Sequence, residues 1–249
     1  MKIVVAGGTG TIGQLIVAAG RERGYDMAPL ARSTGANVLT GEGLDAALAG
    51  ADAVIDVTNT MTLSAKKARA FFGTATSNLL ASAQRTGVGH HVALSIVGID
   101  RADASYYAGK LEQERLVESS LVPHTIARAA QFHEFAAQIL AGSNGPFALV
   151  PRTLMRPVAA HDVAVHLLEV ADSAPTGRSR DLVGPRDEVL VDLARKYLAH
   201  RGERRRAIEV RLPGRYGANL ASGDLRGTDA ALQTTVTFDE WLAEQPTHP

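Results

Sequence analysis

The stretch VVAGGTGTIGQLIVAAG, residues 4–20, contains five glycines, and most of them follow directly on a short apolar run. Glycine weakens the interior of helices and strands alike, so this cluster indicates a turn or a close approach of the backbone to another group. Gly8, Gly10 and Gly13 match the spacing G-x-G-x-x-G, and counting from Gly7 gives the variant G-x-x-G-x-x-G. Because the motif follows a predicted strand and opens a predicted helix, it indicates a loop that binds a dinucleotide.

The chemistry of a pyrophosphate explains why this loop needs small residues. They allow a tight turn from strand to helix, a close approach of the backbone to the phosphates and close packing of the helix on the strand. The first turn of the helix then offers free N–H groups and the positive end of its dipole. A Walker-type phosphate loop is not favoured, because no Gly-Lys-Ser/Thr sequence follows. We therefore predict that the cofactor is bound by Gly7, Thr9, Gly10, Thr11, Ile12 and Gly13.

The residues after the second predicted strand bear on the choice of dinucleotide. An NAD-preferring site usually carries an acidic residue about 20 residues beyond the glycine motif, where it holds the ribose 2′-hydroxyl. The corresponding segment here is Ala31-Arg32-Ser33, which has no carboxylate. A guanidinium can form two parallel hydrogen bonds to a phosphate, so Arg32 and Ser33 favour NADP(H) over NAD(H). An ordinary solvated arginine is the alternative.

Short apolar segments alternate with longer helical ones through the first half of the chain. The predicted strands are residues 2–6, 27–31, 36–40, 52–57, 91–96 and 123–129, and the predicted helices are residues 11–23, 64–87 and 109–120. Near-continuous apolar strands that alternate with helices are typical of a parallel sheet covered on both faces. The predicted fold is therefore α/β, a Rossmann doubly wound parallel sheet with a small C-terminal substrate lobe.

The pattern becomes less regular beyond the last of these strands. Helices are predicted at residues 131–140, 162–172 and 187–200, separated by loops that contain proline and glycine. We divide the chain into a dinucleotide-binding Rossmann core, residues 1–130, and a mostly substrate-side lobe with C-terminal helices, residues 131–249. The two parts are expected to pack as one globular unit.

A serine, a tyrosine and a lysine form the predicted catalytic group. Tyr106 and Lys110 are four residues apart, so on a helix both lie on one face, and a nearby ammonium favours the phenolate of a tyrosine. Ser95 ends a predicted strand, where open α/β sheets bind ligands. In hydride transfer, Ser95 would orient a substrate carbonyl, Tyr106 would supply the proton, and Lys110 would tune Tyr106 and hold the cofactor ribose. A chance spacing, with Tyr107 as the inward-facing residue, is the alternative.

Two further segments follow predicted strands. Thr58 and Asn59 are predicted to contact the cofactor, with an asparagine-containing turn as the alternative. Phe132, His133 and Phe135 are predicted to line a substrate pocket suited to a ring. The alternative is that both phenylalanines belong to the core of a helix.

Five segments together carry a family signature: GGTGTIG (7–13), SNLLASAQRTGV (77–88), HHVALSIVGID (90–100), YYAGKLEQE (106–114) and HTIARAAQFHEF (124–135). In these segments the chain resembles the short-chain dehydrogenase/reductase superfamily, and within it the atypical NmrA-like group of NAD(P)-binding oxidoreductases. The resemblance covers most of the chain and implies a Rossmann fold with a small substrate lobe. It also puts Ser95, Tyr106 and Lys110 at the family's catalytic positions, with Asn78 at the position of a fourth member.

Two features depart from that family pattern. The segment LTGEGLD, residues 39–45, stands where the family often has a Gly-Asp pair that contacts adenine. The spacing of 11 residues between Ser95 and Tyr106 is shorter than is usual for reductases of the superfamily.

Composition limits the partners and the location. The 26 basic and 26 acidic residues cancel, which gives no electrostatic footprint for a nucleic acid. The chain has no cysteine, which excludes disulfides, thiolate metal sites and a cysteine nucleophile. No apolar run is long enough to span a bilayer, so we expect a cytoplasmic protein without a membrane partner. The spacing of the histidines predicts no metal site, and family habit makes a homodimer through residues 64–80 plausible.

These observations leave three functions. The first is an NADPH-dependent reductase of a small carbonyl or quinone-type substrate, which the Tyr106 and Lys110 pair favours. The second is a non-catalytic NADP(H)-binding redox sensor of NmrA type. The third is a nucleotide-sugar epimerase or dehydratase, whose substrate lobe we expect to be larger than this chain allows.

Overall fold

The computed structural model describes residues 1–143 and 145–247. Strands and helices alternate regularly in the first half of the chain. In order they are β1 (Lys2–Ala6), α1 (Thr11–Glu22), β2 (Asp26–Leu30), α2 (Leu44–Leu48), β3 (Ala53–Asp56), α3 (Ala65–Thr86), β4 (His90–Ile96), α4 (Ser105–Glu118) and β5 (His124–Ala129).

The second half has shorter strands and less regular order. Its elements are α5 (Phe135–Ala141), β6 (Phe147–Pro151), β7 (Leu154–Met155), α6 (Ala160–Asp172), β8 (Gly177–Arg178), β9 (Leu182–Val183), β10 (Glu188–Val189), α7 (Leu190–His200), β11 (Arg206–Val210), α8 (Gly214–Ser222), β12 (Leu232–Gln233) and α9 (Phe238–Ala243). Within the described ranges, no helix is long and apolar enough to cross a membrane.

The described chain forms two compact units that interleave along the sequence. The first contains Met1–Ser95, Ala104–Arg128 and His161–Arg180, and the second contains the rest of the described chain. Helix α6 and strand β8 therefore belong to the first unit, together with the glycine motif. The division at residue 130 stays a prediction.

The first unit is built on a parallel sheet with the strand order β2-β1-β3-β4-β5, and β8 runs parallel to β5. Ala6 of β1 pairs with both Leu30 of β2 and Asp56 of β3, and Asp56 pairs with Ala93 of β4. Since parallel strands in this register end at one level, the loops after β1, β2, β3 and β4 emerge at the same edge of the sheet. This arrangement confirms the predicted α/β fold with a mainly parallel sheet flanked by helices, as in Rossmann-like proteins.

The inner strands of this sheet are buried on both faces, as their composition requires. Every residue of β3 is buried, and so is all of β1 beyond its first residue. One apolar cluster joins the sheet to the helices and includes Val4, Leu30, Leu48, Val54, Leu79 and Ile126. This packing holds the strand ends, and the loops that follow them, in fixed positions.

The prediction of a strand at residues 36–40 is wrong, because the segment forms turns instead. The side chain of Asn37 accepts a hydrogen bond from the Leu39 amide at 3.0 Å, and its backbone N–H donates to Glu42. Asn78 of α3 donates to the carbonyl oxygens of Val38 and Leu39 at 2.8 and 3.2 Å. These bonds satisfy backbone polar groups of the segment without a partner strand.

Three predicted helices begin three or four residues away from their predicted starts. The helix predicted at 131–140 begins only at Phe135, because Phe132 forms a β-bridge with Val158. The helix predicted at 187–200 begins at Leu190, after β10. Helix α4 begins at Ser105, four residues before the predicted start.

The second unit has its own strand pairs. Leu182 of β9 pairs in parallel with Ala129, the last residue of β5, and β12 pairs in parallel with β9. Strands β6 and β11 pair in parallel, and β7 and β10 pair antiparallel.

Candidate active site

The glycine motif forms the turn between β1 and α1. Gly7 has φ +84°, and a Cβ there would lie 2.9 Å from the carbonyl oxygen of Val57. A Cβ on Gly13 would overlap the carbonyl oxygen of Gly7. The amide of Gly7 donates to the carbonyl of Leu30 at 3.0 Å, which ties the loop to the end of β2. Both positions therefore require glycine for the backbone to take this path.

The first turn of α1 is suited to an anionic group. Gly10 is the N-cap residue and supplies no capping side chain, and the first turn contains no acidic residue. Thr9, Gly10 and Thr11 are exposed. The first N–H groups of a helix have no partner inside it, and here neither a capping side chain nor an acidic side chain in the first turn occupies them. The loop therefore fits a pyrophosphate, which such N–H groups and the helix dipole attract.

Arg32 and Ser33 lie in a short 3-10 turn, Arg32–Thr34, directly after β2. Both are exposed. The turn is held by Thr34, whose hydroxyl oxygen accepts a hydrogen bond from the amide of Ala31 at 2.9 Å. Since Leu30 pairs with Ala6, Arg32 and the glycine loop leave the sheet at the same edge.

The loop after β3 brings Asn59 to the predicted catalytic tyrosine. Asp56 accepts hydrogen bonds from the backbone N–H of Thr58 at 2.9 Å and from its hydroxyl at 2.7 Å. Thr58 is buried and Asn59 is exposed. The hydroxyl of Tyr106 donates to Oδ1 of Asn59 at 2.7 Å. The structure thus holds Asn59 and Tyr106 together, with Thr58 fixing the base of the loop.

The start of α4 is tied to this loop a second time. Ser105 has φ +52°, the one positive φ of a non-glycine residue in the described chain, and its hydroxyl donates to the carbonyl of Leu63 at 3.0 Å. Tyr106 is half-buried and packs edge-to-face on Phe72 of α3, with ring centroids 5.7 Å apart. Tyr107 is buried. Tyr106, rather than Tyr107, therefore presents its ring partly to solvent.

Lys110 is buried, with 4% of the residue exposed. Its ammonium donates to the carbonyl of Leu94 at 2.6 Å and to Oε1 of Gln113. It also lies 4.7 Å from the ring centroid of Phe72. Burial lowers the pKa of Lys110 to about 8, against the opposing attraction of Asp56 and Glu114. The ammonium thus has two acceptors within the protein, and its roles toward Tyr106 and a ribose stay predictions.

Ser95 lies near the end of β4, two residues beyond Ala93. Only 2% of the residue is exposed, and its hydroxyl has no hydrogen-bond partner among the described residues. Buried hydroxyls are normally paired, and an unpaired one costs about 1–3 kcal/mol. Its predicted role in orienting a substrate carbonyl stays a prediction.

The predicted pocket residues belong to the second unit. His133 is buried, its Nε2 lies 3.1 Å from the carbonyl oxygen of Val236, and its ring contacts Phe238 and Trp241 at centroid distances of 5.6 and 5.7 Å. Phe132 and Phe135 are half-buried. His133 is therefore part of an aromatic cluster, and a role for these residues in substrate binding stays a prediction.

Three residues of the site were missed in the sequence. Asp56, Phe72 and Gln113 all contact Lys110 directly or through one hydrogen bond. Two signals were present: an acid that ends an otherwise apolar strand, and a glutamine three residues after Lys110 on one helix face. Within the described ranges, no group of three or more His, Asp or Glu side chains is placed to hold a metal ion.

No protein-family model matches the chain, and no curated protein matches it. Solved structures do. The Escherichia coli NADPH-dependent quinone oxidoreductase complexed with NADPH superposes with a TM-score of 0.71 at 15% identity, over 97% of this chain and 98% of that one. A short-chain dehydrogenase/reductase superfamily protein from Agrobacterium tumefaciens with bound NAD gives a TM-score of 0.69 at 19% identity, over 98% and 95% of the two chains.

The chain has the fold of the short-chain dehydrogenase/reductase superfamily. The predicted resemblance is thereby confirmed at the level of the fold, and the solved relatives include proteins crystallised with NADPH and with NAD. A nucleoside-diphosphate-sugar epimerase from Staphylococcus aureus shares this fold, with a TM-score of 0.64 at 17% identity over 99% of this chain and 97% of that one. The expectation that an epimerase lobe needs a larger chain is therefore wrong, because an epimerase of nearly the same extent exists.

Proposed function

We propose that the protein is an NADPH-dependent reductase of a small carbonyl or quinone-type substrate. The observation that carries this proposal is the hydrogen bond from Tyr106 to Asn59 at 2.7 Å, because it places an ionisable hydroxyl on the loop after β3. That loop leaves the sheet at the edge where the glycine turn opens onto the free end of α1. In open α/β sheets, ligands bind at this edge.

The glycine turn and the first turn of α1 would hold the pyrophosphate. Arg32 and Ser33 would bind the 2′-phosphate, since both are exposed at the end of β2 and a guanidinium matches a phosphate with two hydrogen bonds. Two solved relatives that bind NADPH and NAD show that the shared fold accepts either dinucleotide, so the preference rests on these two side chains.

The NADPH that these residues would hold would supply a hydride to the substrate carbon. The hydroxyl of Tyr106 gives its proton to the substrate oxygen and becomes a phenolate, which is reprotonated from solvent. Asn59 orients that hydroxyl, and the positive charge of Lys110, one helical turn along α4, favours the phenolate. Ser95 would hydrogen-bond the substrate oxygen and thereby satisfy its own buried hydroxyl.

The loop beside Tyr106 supports an apolar substrate. Met61 and Leu63 are 86% and 76% exposed, and the loop that carries them is held to the start of α4 by the bonds of Asn59 and Ser105. Large apolar side chains exposed next to a catalytic hydroxyl are typical of a surface that binds an apolar ring. This favours a quinone-type substrate over a nucleotide sugar.

Calorimetric titration of the purified protein with NADPH, NADP, NADH and NAD tests the first step. Selective binding of NADPH supports the assignment of Arg32, and binding of none of the four overturns the proposal. Absorbance at 340 nm then follows NADPH oxidation with a panel of quinones, aldehydes and ketones. Equal binding of NADPH and NADP without turnover of any member would instead favour the redox sensor, and conversion of nucleotide sugars without net NADPH consumption would favour the epimerase.

A further inference from the structure

A continuous chain of buried hydrogen bonds runs from β3 through α4 to β4. Gln113 donates from Nε2 to Oδ2 of Asp56 at 2.8 Å and accepts at Oε1 from the ammonium of Lys110, which also donates to Leu94. Asp56 is 0% exposed, and its other oxygen accepts both hydrogen bonds from Thr58. No role was predicted from the sequence for either Asp56 or Gln113.

The orientation of the Gln113 amide depends on both of its neighbours. A carboxylate has only acceptors and an ammonium has only donors, so the amide must turn its NH₂ to Asp56 and its oxygen to Lys110. Burying either charge alone would cost several kcal/mol, and pairing through the amide offsets that cost. The three groups therefore stabilise one another in a single arrangement.

Two carboxylates attract the ammonium of Lys110, and Asp56 contributes more than Glu114. From α4 itself, Glu114 also attracts the ammonium, but it is paired with Arg128 at 2.8 and 2.7 Å and with Arg178 at 3.3 Å. From α3, the face of Phe72 contacts the ammonium, and from β4 the carbonyl of Leu94 accepts its hydrogen bond.

One further titratable group faces Asp56. His91 of β4 interacts electrostatically with this carboxylate, and burial lowers the pKa of His91 to about 4. The imidazole is therefore neutral near pH 7, so it does not cancel the charge that Asp56 offers to Lys110.

We propose that Asp56 and Gln113 are positioning residues that keep Lys110 protonated and fixed against the Leu94 carbonyl, beside Ser95 and one helical turn from Tyr106. The consequence for catalysis rests on the proposed reductase function. The consequence for Lys110 itself does not, because the charge of a buried ammonium can be measured without turnover.

The test is a pH titration of Lys110 by NMR in protein labelled with ¹³C-lysine, in which the Lys110 resonance is assigned by its loss in Lys110→Arg. The variants are Asp56→Asn and Gln113→Met, with Glu112→Gln as the control, because Glu112 lies on the same helix but pairs with exposed Arg115. Asp56→Asn removes the negative charge and places an NH₂ group opposite the NH₂ group of Gln113. Two donors would then face each other, so the Gln113 amide would have to flip and turn its NH₂ toward the ammonium.

We expect the pKa of Lys110 to fall by at least one unit in both variants and to stay unchanged in Glu112→Gln. Gln113→Met keeps the size of the side chain and removes the oxygen that accepts from Lys110, so this variant alone tests the proposal if Asp56→Asn does not fold. An unchanged Lys110 pKa in the folded variants overturns the proposal. If the Lys110 pKa shifts but the protein oxidises NADPH with no member of the substrate panel, the network proposal stands and only the reductase proposal is refuted. In an active reductase, we expect the pH profile of kcat to shift to lower pH together with the Lys110 pKa.

Discussion

The hydroxyl of Tyr106 donates a 2.7 Å hydrogen bond to Oδ1 of Asn59, which joins the start of α4 to the loop after β3. An amide oxygen is an acceptor only, so the tyrosine in this bond is protonated, and its hydroxyl must turn from Asn59 to the substrate oxygen before it can give its proton. The same bond fixes the phenol ring against Phe72. Packing on Phe72 and the hydrogen bond to Asn59 therefore help to fix the position of this hydroxyl.

Replacing Tyr106 by phenylalanine should abolish the proposed proton transfer while preserving the packing on Phe72. Positioned general acids contribute about 10²–10⁴-fold to rate, so we expect kcat to fall by that factor. NADPH affinity, measured by calorimetry, should change by less than about threefold, because the ring stays in place.

Tyr107→Phe is the matched control, since Tyr107 is the neighbouring tyrosine and is buried. It should keep nearly full activity. Loss of turnover in Tyr107→Phe with activity retained in Tyr106→Phe would make Tyr107 the proton donor and contradict our assignment of Tyr106.

Arg32→Ala should weaken NADPH binding selectively. The side chain is exposed at the end of β2, and a bidentate contact to a phosphate is one of the stronger charge-assisted hydrogen bonds, worth about 1.5–3 kcal/mol. We expect the Kd for NADPH to rise by about 10–100-fold and the Kd for NADH to stay within about threefold. Arg21→Ala, an exposed arginine in the last turn of α1, controls for loss of positive charge in general. Equal weakening of both cofactors would remove Arg32 as the reader of the 2′-phosphate.

Gly13→Ala should disrupt the loop itself. A Cβ at this position would overlap the carbonyl oxygen of Gly7 and lie 2.7 Å from Cα of Gly8, both backbone atoms that cannot move aside cheaply. We expect a lower Tm and no measurable cofactor binding. Gly73→Ala is the contrasting control, because Gly73 lies inside α3 and a Cβ there would come no closer than 3.8 Å to Glu112. Gly73→Ala should raise the Tm, since alanine is a better helix former than glycine by about 1 kcal/mol. If Gly13→Ala still binds the cofactor, the loop tolerates a Cβ at this position and the prediction is wrong.

Local patterns sufficed for much of the fold. The strand at 2–6 is recovered residue for residue, and the helix predicted at 64–87 differs from α3 by one residue at each end. In both cases the signal is short-range: a buried apolar run before a glycine turn, and a Ser64 cap with a Gly87 stop. Such signals need no knowledge of distant residues.

The failures come from partners far away in the sequence. Residues 36–40 read as a strand, yet Asn78 of α3 satisfies two of their carbonyls across about 40 positions of chain. The link from Asp56 to Gln113 spans 57 residues. Spacing within one helix could place Tyr106 and Lys110 on the same face, but it could not show that Lys110 donates to Leu94 of a neighbouring strand.

His91 makes the stability of the protein depend on acid. It is fully buried in β4, neither ring nitrogen has a hydrogen-bond partner among the described residues, and burial lowers its pKa to about 4. An unfolded histidine has a pKa near 6.5, so between about pH 4 and 6.5 the unfolded chain binds a proton at His91 that the folded chain does not bind. The free energy of unfolding should therefore fall as the pH drops from about 6.5 to 4, by up to about 3 kcal/mol from this residue.

Urea unfolding of His91→Leu should show a flatter pH dependence over that window and equal or higher stability at pH 7, because no ring nitrogen is left unpaired. His161→Gln, at an exposed histidine, should follow the wild type, and parallel curves for His91→Leu and wild type would mean that other groups cause the acid sensitivity.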